Sequence, residues 1–517
     1  MRLIDFFDRG ATRWPDNACL IDQTVTLTYR DASAFSHRLA NALISGGVRP
    51  GDTVAIWSPN TARAFLAWLG LARAGAAWVG LAALWKPDDV VDVLNDRGTA
   101  WLLFDSEFAE AARALAPRVP TLRHLVCLDR ALPGVLSLDN LVAGHDGPAP
   151  ELPLDPHAII NHFTTGGTTG RPKGSMWTNL NWLAWTANMY THLPMGDRPV
   201  HLIAASMTHA AGIFAWAVLP FGGAIVVVRR AEPEAIFDAI ERHGVTHSFL
   251  PPTVIYMLLA HPRARTANLS SLRCLIYGGA PMSAEKARQA VELFGPCLAQ
   301  IYGQSECPCT IAILTPEEHV EAIRDPAKAH RLASCGRPPV FTQVAIIDED
   351  GNLRPAGERG EIGVRGPIVH AGYHNNPEAT AQSRVNGWHR TGDIGVFDAD
   401  GYLYIVDRKK DMIISGGLNV YPGEIEQVIW AHPAVQDCAV IGVPDEKWGE
   451  AVKAVIELKP GATLDPSEVL SMCREKLGGY RTPKSVEIWP ELPRSAVGKV
   501  LKREIRARYW AGRERTI

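Results

Sequence analysis

A stretch rich in glycine and threonine carries the clearest chemical signal in this chain. Residues 164–174 read Thr-Thr-Gly-Gly-Thr-Thr-Gly-Arg-Pro-Lys-Gly and follow the apolar pair Ile159 and Ile160. Glycine lets backbone N–H groups turn toward an anion, threonine hydroxyls add donors, and Lys173 adds a positive charge. The composition predicts a phosphate-binding loop, although a mobile surface loop can have the same composition. It is not the common P-loop, because no Gly-Lys-Ser/Thr follows the spacer and Pro172 disfavours the usual helix start.

Further segments carry residues suited to nucleotide chemistry. Residues 302–306, Tyr-Gly-Gln-Ser-Glu, place an aromatic ring, a glycine turn and a carboxylate after a predicted strand. Wound sheets bind their ligands at the C-terminal ends of strands. Residues 388–393 end in Asp393 after a Thr-Gly turn, Arg408 adds a guanidinium, and residues 493–499 end in Gly-Lys. Each segment alone is weak evidence, since acids beside turns are often only turn formers or solvated groups.

The elements that must position these segments alternate between helix and strand. Helical periodicity over 233–243 and 284–293 precedes apolar runs at 245–250 and 299–302, which predicts wound sheets covered by helices. Between about 340 and 406 the pattern changes to short strands and turns, typical of hairpins and a small barrel. At 517 residues the chain exceeds what one hydrophobic core supports, so two or three domains are expected.

Composition excludes several classes of protein. Hydrophobic residues make up 47% of the chain, and the net charge of -3 gives no reason to expect a nucleic-acid partner. The nine cysteines lack a Cys-x-x-Cys pair and the N-terminus lacks an apolar signal core, so we expect a reduced, cytoplasmic protein. The longest uncharged run, 210–228, is broken by a Pro-Phe-Gly-Gly turn, which argues against a transmembrane segment. The sequence is compatible with a homodimer and does not set the oligomeric state.

Together and in this order, the five segments resemble those of the adenylate-forming superfamily, which includes acyl-CoA and aryl-CoA synthetases, firefly-type luciferases and peptide-synthetase adenylation domains. The resemblance covers nearly the whole chain. It implies an α/β fold: a large N-terminal domain of two wound β-sheets with helices plus a small β-barrel, and a smaller mobile α+β C-terminal domain. The expected limits are 1–407 for the N-terminal AMP-binding domain, 408–410 for a hinge that contains Lys410, and 411–517 for the C-terminal domain.

The resemblance implies a site for ATP and Mg²⁺. Tyr302 is expected to stack on adenine opposite a wall of small residues, while Asp393 and Arg408 bind the ribose. Glu306 is expected to hold Mg²⁺, because a hard cation prefers oxygen ligands. Gly166 stands where the family usually has serine, so one hydroxyl donor is missing. The expected contacts are Thr165, Gly167, Thr168, Thr169, Lys173, Gly278, Gly279, Ala280, Tyr302, Gly303, Ser305, Asp393 and Arg408, with Glu306 and Thr168 on the metal.

The chemistry explains why such groups are needed. A carboxylate is a poor acyl donor, and ATP converts it into an acyl-adenylate whose leaving group is AMP. In-line attack on the α-phosphorus develops negative charge that positioned cations stabilise. The resemblance assigns Lys499 to bridge the carboxylate and the α-phosphate, and places His209 beside the carboxylate, where a core histidine is the alternative reading. Lys499, His209 and Glu306 are therefore the expected catalytic residues.

In the second half-reaction that the resemblance implies, the C-terminal domain turns and a thiol attacks the adenylate. Gly416 and Gly417 are then expected to leave a narrow passage for the pantetheine arm of coenzyme A. Trp448, Tyr480 and Lys484 are expected contacts of coenzyme A, although such residues also pack domains together. The chain ends soon after the Gly-Lys pair, so free coenzyme A is the expected thiol rather than an appended carrier domain.

The acid pocket implied by the resemblance is small and apolar. Its expected members are His209, Ala210, Ala211, Phe249, Tyr277, Gly278, Ile301, Gly303 and Cys309. No arginine among them could pair with a second carboxylate and no acid could bind an ammonium, so dicarboxylates and amino acids are disfavoured. A hydrophobic monocarboxylic acid is expected, whether fatty, alicyclic or aromatic. Tyr277 is a candidate to cap the pocket and limit chain length.

The leading hypothesis is an ATP-dependent acid:CoA ligase that releases AMP and pyrophosphate. Two alternatives stay open from the sequence. One is a standalone adenylation enzyme that loads a separate carrier protein, and the other is a luciferase-like oxidoreductase. All three share the adenylation site. They differ in what reacts with the acyl-adenylate, so the products of the reaction distinguish them.

Overall fold

The computed structural model describes residues 1–165, 173–494 and 500–511, without the side chain of Thr165. The strands are β1 (Ala18–Ile21), β2 (Thr26–Thr28), β3 (Thr53–Trp57), β4 (Ala77–Leu81), β5 (Trp101–Phe104), β6 (His124–Cys127), β7 (Leu136–Ser137), β8 (Ile159–Thr165), β9 (Lys173–Thr178), β10 (Val200–Ile203), β11 (Ala224–Val227), β12 (His247–Leu250), β13 (Cys274–Gly278), β14 (Leu298–Gln304), β15 (Cys307–Leu314), β16 (Gln343–Ile347), β17 (Gly360–Arg365), β18 (Gly372–Tyr373), β19 (Arg384–Val385), β20 (Trp388–Phe397), β21 (Leu403–Arg408), β22 (Ile413–Ser415), β23 (Leu418–Val420), β24 (Val435–Asp445), β25 (Gly449–Leu458) and β26 (Ser485–Trp489). The helices are α1 (Leu3–Arg13), α2 (Tyr29–Ser45), α3 (Ala62–Ala74), α4 (Pro87–Arg97), α5 (Ala109–Leu115), α6 (Leu138–Val142), α7 (Asn179–His192), α8 (Ala210–Trp216), α9 (Pro233–His243), α10 (Pro252–Ala260), α11 (Ala284–Phe294), α12 (Pro316–Arg324), α13 (Pro377–Gln382), α14 (Pro422–Trp430), α15 (Pro466–Leu477) and α16 (Lys502–Ala507).

Two eight-stranded sheets form the N-terminal part of the molecule. The first has the order β15-β14-β13-β12-β10-β11-β1-β2, and the second has the order β18-β9-β8-β4-β3-β5-β6-β7. The central strands pair in parallel, and helices such as α9 and α11 connect successive strands of the first sheet. This is the doubly wound arrangement that the alternation of helix and strand predicts, so the two wound sheets are confirmed.

The two sheets share one buried core, which is rich in tryptophan. Ile56 and Trp78 from the second sheet belong to the same cluster as Ile225 and Phe249 from the first. Trp78 lies 5.6 to 6.0 Å, between ring centroids, from tryptophans on α3, α7 and α8. The opposite face of the first sheet is covered by α9, α10 and α11, and that of the second by α4 and α5. The central strands therefore bury both faces, as parallel strands do.

A third sheet occupies the region for which the sequence predicted hairpins and a barrel. Its order is β16-β17-β20-β19, and β21 also pairs with β20. In the described residues, β16 and β21 at the edges do not pair with each other, so the expected barrel takes the form of an open sheet. β20 is the longest strand of this sheet, and its 10 residues pair with β19 at one end and with β21 at the other.

Strands β22 to β26 and helices α14 to α16 form a smaller α+β unit with its own buried cluster, which contains Ile413, Ile425, Val440, Ile456 and Val469. A smaller C-terminal domain is thereby confirmed. We propose that the domains divide at the predicted limits of 407 and 411, and the rotation of the second domain stays a prediction. In the part of the chain that the structure describes, no helix is both long and apolar enough to cross a membrane.

Candidate active site

A polar network forms where β14 ends against β20 and β21. The Tyr302 hydroxyl donates to Asp393 Oδ2 at 2.6 Å, and Gln304 Nε2 donates to the same oxygen at 2.8 Å. Arg408 Nε lies 3.3 Å from Asp393 Oδ1, because Asp393 and Arg408 are paired across β20 and β21. Burial and the neighbouring Asp393 carboxylate raise the pKa of Tyr302, so its phenol stays protonated and donates. The fold thus brings together three residues that the sequence predicted as nucleotide contacts.

A second group lies where the first and second sheets meet. The Tyr373 hydroxyl donates to Glu306 Oε1 at 2.6 Å. Lys173 Nζ lies 5.2 Å from the centroid of the Tyr373 ring, in a cation–π contact. Tyr373 pairs with Ser175 across β18 and β9, and β9 begins at Lys173. The lysine that ends the predicted phosphate loop and the carboxylate predicted for the metal therefore contact the same tyrosine.

Hydrogen bonds from side chains of β9 hold the turn that carries Glu306. The Ser305 carbonyl accepts hydrogen bonds from Ser175 Oγ and Trp177 Nε1, both at 2.6 Å. The Glu306 carbonyl accepts a hydrogen bond from the backbone N–H of His370 at 2.9 Å. Backbone groups of the predicted motif are thus bonded to two elements of the second sheet, which leaves the Glu306 carboxylate as its accessible reactive group.

The residues present fit a magnesium ion together with a nucleotide. Glu306 offers one half-buried carboxylate, and a hard cation takes such oxygen ligands. Within 1–165, 173–494 and 500–511, no group of three or more His, Cys, Asp or Glu residues could hold a metal alone. Phosphate oxygens would supply the other ligands, as is common for Mg²⁺. A bound ion would neutralise charge that develops on the phosphates.

Two of the predicted small residues are required by close packing. A Cβ atom on Gly278 would lie 2.6 Å from the Ile301 carbonyl oxygen. A Cβ on Gly303 would lie 2.5 Å from Cys309 Cα. These glycines therefore permit β13, β14 and β15 to approach each other beside Tyr302. The other predicted members of the adenine wall, Gly279 and Ala280, lie at the accessible end of β13.

His209 lies immediately before α8, beside an aromatic wall. Its ring meets Phe163 edge-on, with centroids 5.9 Å apart, and Phe163 stacks on Trp177 at 5.0 Å. Its Nδ1 lies 3.2 Å from both Ser206 Oγ and Thr208 Oγ1, which fixes the ring. The ring is only partly buried, so it can face a ligand that lies along this wall.

Most predicted members of the acid pocket belong to the shared core beside this wall. Phe249 stacks on Phe214 with ring centroids 5.3 Å apart. A small cavity of about 10 Å³ lies beyond these rings and is lined by both Phe214 and His201. That volume holds little more than one water molecule. The remaining predicted members that pack in this cluster are Ala210, Ala211, Ile301 and Cys309.

The side chain of Tyr277 lies on the opposite face of the first sheet. Neighbours on β13 alternate, so Ile276 enters the shared core while Tyr277 enters the cluster under α9 to α11. The Tyr277 hydroxyl donates to Gln300 Oε1 at 2.9 Å and lies 3.1 Å from His319 Nε2. The expectation that this side chain lines or caps the acid pocket is therefore wrong. A strand buried on both faces gives no periodic signal to show which side chains face the ligand.

Three of the predicted coenzyme A contacts form one surface on the smaller domain. A Cβ on Gly416 would lie 2.6 Å from Trp448 Cε3, and Lys484 Nζ lies 5.6 Å from a ring centroid of Trp448. Gly416 and Gly417 have φ values of +58° and +79°, which glycine adopts without strain. Tyr480 is 49% exposed and adds an accessible aromatic ring on the same domain.

Lys410, the predicted hinge residue, lies in a single 3₁₀ turn between the domains. Partial desolvation, then the positive charge of Arg408, lowers the pKa of Lys410 to about 8. Contacts also cross the junction beside it, since Asp407 Oδ2 accepts the Gly423 backbone N–H at 2.7 Å. A rotation about Lys410 would have to break that hydrogen bond.

Some predicted site residues lie outside the described part of the chain. They are Gly166, Gly167, Thr168, Thr169 and Lys499, together with the side chain of Thr165. Their roles stay predictions. Sequence reasoning missed Gln304 and Tyr373. Strand alternation could have found Gln304, which lies two positions after Tyr302, whereas Tyr373 is recognisable only from its tertiary contacts.

Comparisons with known proteins agree with this geometry. Residues 7–374 match the family described as AMP-binding enzyme, and residues 424–499 match the AMP-binding enzyme C-terminal domain. A feruloyl-CoA synthase of an Amycolatopsis species is 39% identical over 518 residues, covering 97% of this chain and 99% of the relative. A medium/long-chain-fatty-acid–CoA ligase of Mycobacterium tuberculosis is 37% identical over 439 residues, covering 82% and 76%. An amide bond synthetase of Marinactinospora thermotolerans has a similar structure, with a TM-score of 0.88 and 31% identity, covering 98% of this chain and 100% of the other. The resemblance to adenylate-forming enzymes is thus confirmed, and the chain belongs to the AMP-binding enzyme family.

Proposed function

We propose that this protein is an ATP-dependent acid:CoA ligase. It activates a hydrophobic monocarboxylic acid as an acyl-adenylate and then forms the coenzyme A thioester, releasing AMP and pyrophosphate. The observation that carries the proposal is the network of Tyr302, Asp393 and Arg408 beside Glu306, which assembles a nucleotide site from strands distant in the chain. Relatives that span most of the chain are named as CoA ligases or synthases, which supports the same activity.

Within this proposal, Asp393 binds the ribose. Each carboxylate oxygen can accept about two hydrogen bonds. Oδ2 already accepts from Tyr302 and Gln304, whereas Oδ1 faces Arg408. Oδ1 is therefore the oxygen with capacity for a ribose hydroxyl, and the Arg408 guanidinium lies beside that oxygen.

The phosphates then lie toward Glu306 and Lys173, which share the Tyr373 side chain. The cation at Lys173 offsets phosphate charge, and Glu306 supplies a ligand for Mg²⁺ bound with the nucleotide. Lys499 is proposed to reach the acid carboxylate and the α-phosphate during adenylation. His209 is proposed to orient that carboxylate from the opposite side.

We further propose that the acid is aromatic. An aromatic pair lies beside His209, since its ring meets Phe163 edge-on and Phe163 is parallel to Trp177 within 4°. Among the described residues, the cavity next to Phe214 has a volume of about 10 Å³, which is too small for a long alkyl chain. A flat ring stacks on such a wall with favourable offset geometry. The similarity to a feruloyl-CoA synthase over 97% of the chain supports the same class.

Amide formation is a second candidate. The structure of an amide bond synthetase superposes on 98% of this chain with a TM-score of 0.88. Both reactions begin with an acyl-adenylate and differ only in the nucleophile that attacks it. The Trp448, Gly416 and Lys484 surface favours coenzyme A, because an aromatic ring and a cation suit an adenine and phosphates.

The test is a substrate panel with purified protein, ATP and Mg²⁺. Aryl, alicyclic and fatty acids are each combined with coenzyme A, a simple amine or a carrier protein, and the products are identified by mass spectrometry. We expect AMP, pyrophosphate and aryl-CoA thioesters. Adenylates that accumulate and are trapped by hydroxylamine, without any thioester, would rule out the ligase. Amide, acyl-carrier or light production would instead identify the corresponding alternative.

A further inference from the structure

Tyr373 joins the two groups that face the phosphate end of the proposed ATP site. Its hydroxyl lies 2.6 Å from Glu306 Oε1, and its ring lies 5.2 Å from Lys173 Nζ. Glu306 follows β14 in the first sheet, whereas Lys173 begins β9 in the second. Tyr373 is therefore a physical connection between the sheets at the point where they would hold the same ligand.

We propose that Tyr373 is a positioning residue for ATP: its hydroxyl orients the Glu306 carboxylate and its ring supports the Lys173 ammonium. This inference rests on the proposed function, because it takes Glu306 and Lys173 to be contacts of the nucleotide and its metal ion. Tyr373 acts through these two groups and does not itself touch the reacting atoms.

The hydrogen bond between Tyr373 and Glu306 has a defined direction. A phenol carries one O–H donor, whereas an ionised carboxylate offers only acceptors, so the Tyr373 hydroxyl donates to Glu306. Charge-assisted hydrogen bonds of this kind are shorter and about twice as strong as neutral ones. This bond leaves Oε2 of Glu306 as the oxygen available to a metal ion.

Backbone contacts hold the main chains of Tyr373 and of the turn that carries Glu306. The hydrogen bond between the Tyr373 and Glu306 side chains therefore restricts the rotamers that Glu306 can adopt. The Tyr373 backbone N–H donates to Thr380 Oγ1 at 2.9 Å, and Tyr373 pairs with Ser175 across β18 and β9. On the other side, Ser175 Oγ donates to the Ser305 carbonyl at 2.6 Å. A glutamate side chain otherwise loses rotamer freedom when it is fixed on binding. Preorganisation by Tyr373 reduces that entropic cost before ATP arrives.

The test compares Tyr373→Phe with the wild type in ATP binding without acid, by calorimetry at several Mg²⁺ concentrations. Phenylalanine keeps the ring beneath Lys173 and removes only the hydroxyl. We expect about tenfold weaker ATP binding in the presence of Mg²⁺, the effect of losing one charge-assisted hydrogen bond. Adenylation should show a raised KM for ATP and an unchanged KM for the acid. Thioester formation from a supplied acyl-adenylate should keep the wild-type rate.

Tyr402→Phe is the matched control. The Tyr402 hydroxyl donates to Glu318 Oε1 at 2.9 Å, and the Arg337 guanidinium lies 5.1 Å from its ring centroid. Tyr402→Phe therefore removes the same kind of hydrogen bond, from tyrosine to a glutamate carboxylate, away from the proposed ATP site. ATP binding of this variant should not change. ATP binding of Tyr373→Phe equal to the wild type would overturn the inference. So would an equal loss of both half-reactions together with a lowered Tm. If the wild type forms no adenylate, the proposed function fails, whereas the calorimetry still decides the role of Tyr373.

Discussion

Replacing Lys502 by methionine tests how the C-terminal helix α16 is held on its domain. Lys502 Nζ lies 2.8 Å from Glu426 Oε1 and 3.0 Å from Oε2, and the Glu426 side chain is 7% exposed. Glu426 Oε1 also accepts the Val440 backbone N–H at 2.6 Å. The variant leaves this buried carboxylate without its cation, while methionine preserves most of the packing of the lysine stem.

The size of the effect follows from the two ways in which Glu426 can respond. Removing one partner of a buried ion pair costs about 3–5 kcal/mol. Glu426 can instead take up a proton, which costs an ordinary glutamate about 3.7 kcal/mol at pH 7 and about 1 kcal/mol at pH 5. The response with the lower free-energy cost sets the upper limit of the destabilisation. We therefore expect a destabilisation of about 3 kcal/mol at pH 7 that shrinks to about 1 kcal/mol at pH 5.

The sign of this pH dependence is fixed by the folded state. Burial raises the pKa of Glu426 and Lys502 opposes that shift, so loss of Lys502 raises the pKa further. The folded variant then binds more protons than the unfolded chain above the ordinary glutamate pKa. Its stability relative to the wild type therefore increases as the pH falls toward that value.

Hydrogen exchange read by mass spectrometry suits this measurement, because peptides from β24 and β25 report the smaller domain separately from the rest. The double variant Lys502→Met, Glu426→Gln should recover part of the loss at pH 7. Lys453→Met is the control, since the Lys453 side chain is also mostly buried but its partner Glu487, at 3.0 Å, is 44% exposed. That change should cost less than Lys502→Met, because water can replace the cation at an exposed carboxylate. Equal losses for Lys502→Met at pH 5 and pH 7, or a loss at pH 7 no larger than the control, would refute the reasoning.

Four further outcomes are expected. Asp393→Asn should raise the KM for ATP about tenfold without changing that for the acid, because the charge that binds Arg408 is lost; steady-state kinetics with each substrate varied measures this. Gly416→Ala should slow thioester formation and spare adenylation, since the new Cβ meets Trp448 at 2.6 Å and the +58° φ is strained; the two half-reactions are assayed separately. Lys499→Ala should lower adenylation roughly 10²–10³-fold and keep thioester formation from a supplied adenylate, and an equal loss of both would contradict its assigned role. Burial lowers the pKa of His389 to about 4, so stability should fall as the pH drops below about 6.5, by about 1.4 kcal/mol per pH unit for this residue; His389→Phe should flatten that slope in urea unfolding.

The wound sheets, and the strand ends that carry the candidate nucleotide residues, could be predicted because local sequence determines them. Tyr302 follows an apolar strand, and ligands of wound sheets collect at such strand ends. Asp393 lies in β20 and Arg408 in β21, and antiparallel pairing of these consecutive strands places the two residues opposite each other. The family resemblance implied that these residues share one site with Tyr302. In the structure, Tyr302 and Arg408 both contact the Asp393 carboxylate.

Other features depend on contacts that no local pattern encodes. Tyr277 was expected in the acid pocket, but apolar residues on both faces of β13 hide which face each side chain takes. Tyr373 carries no motif that states its partner, because Glu306 lies in another sheet and 67 positions away in the chain. The third sheet is open in the described residues, with β19 and β21 both paired to β20, and no local pattern in the sequence shows this pairing. These outcomes depend on tertiary geometry.

The close approach at Gly303 has a consequence for how acid preference can change. Because a Cβ there would lie 2.5 Å from Cys309 Cα, this wall of the pocket is peptide backbone rather than side chain. Point mutations alter side chains, so no tolerated substitution at Gly303 can reshape that surface. In the proposed acid pocket, we expect variation in acid preference to come instead from side-chain positions such as Ala210, Ala211 and Phe249, which pack in the shared core.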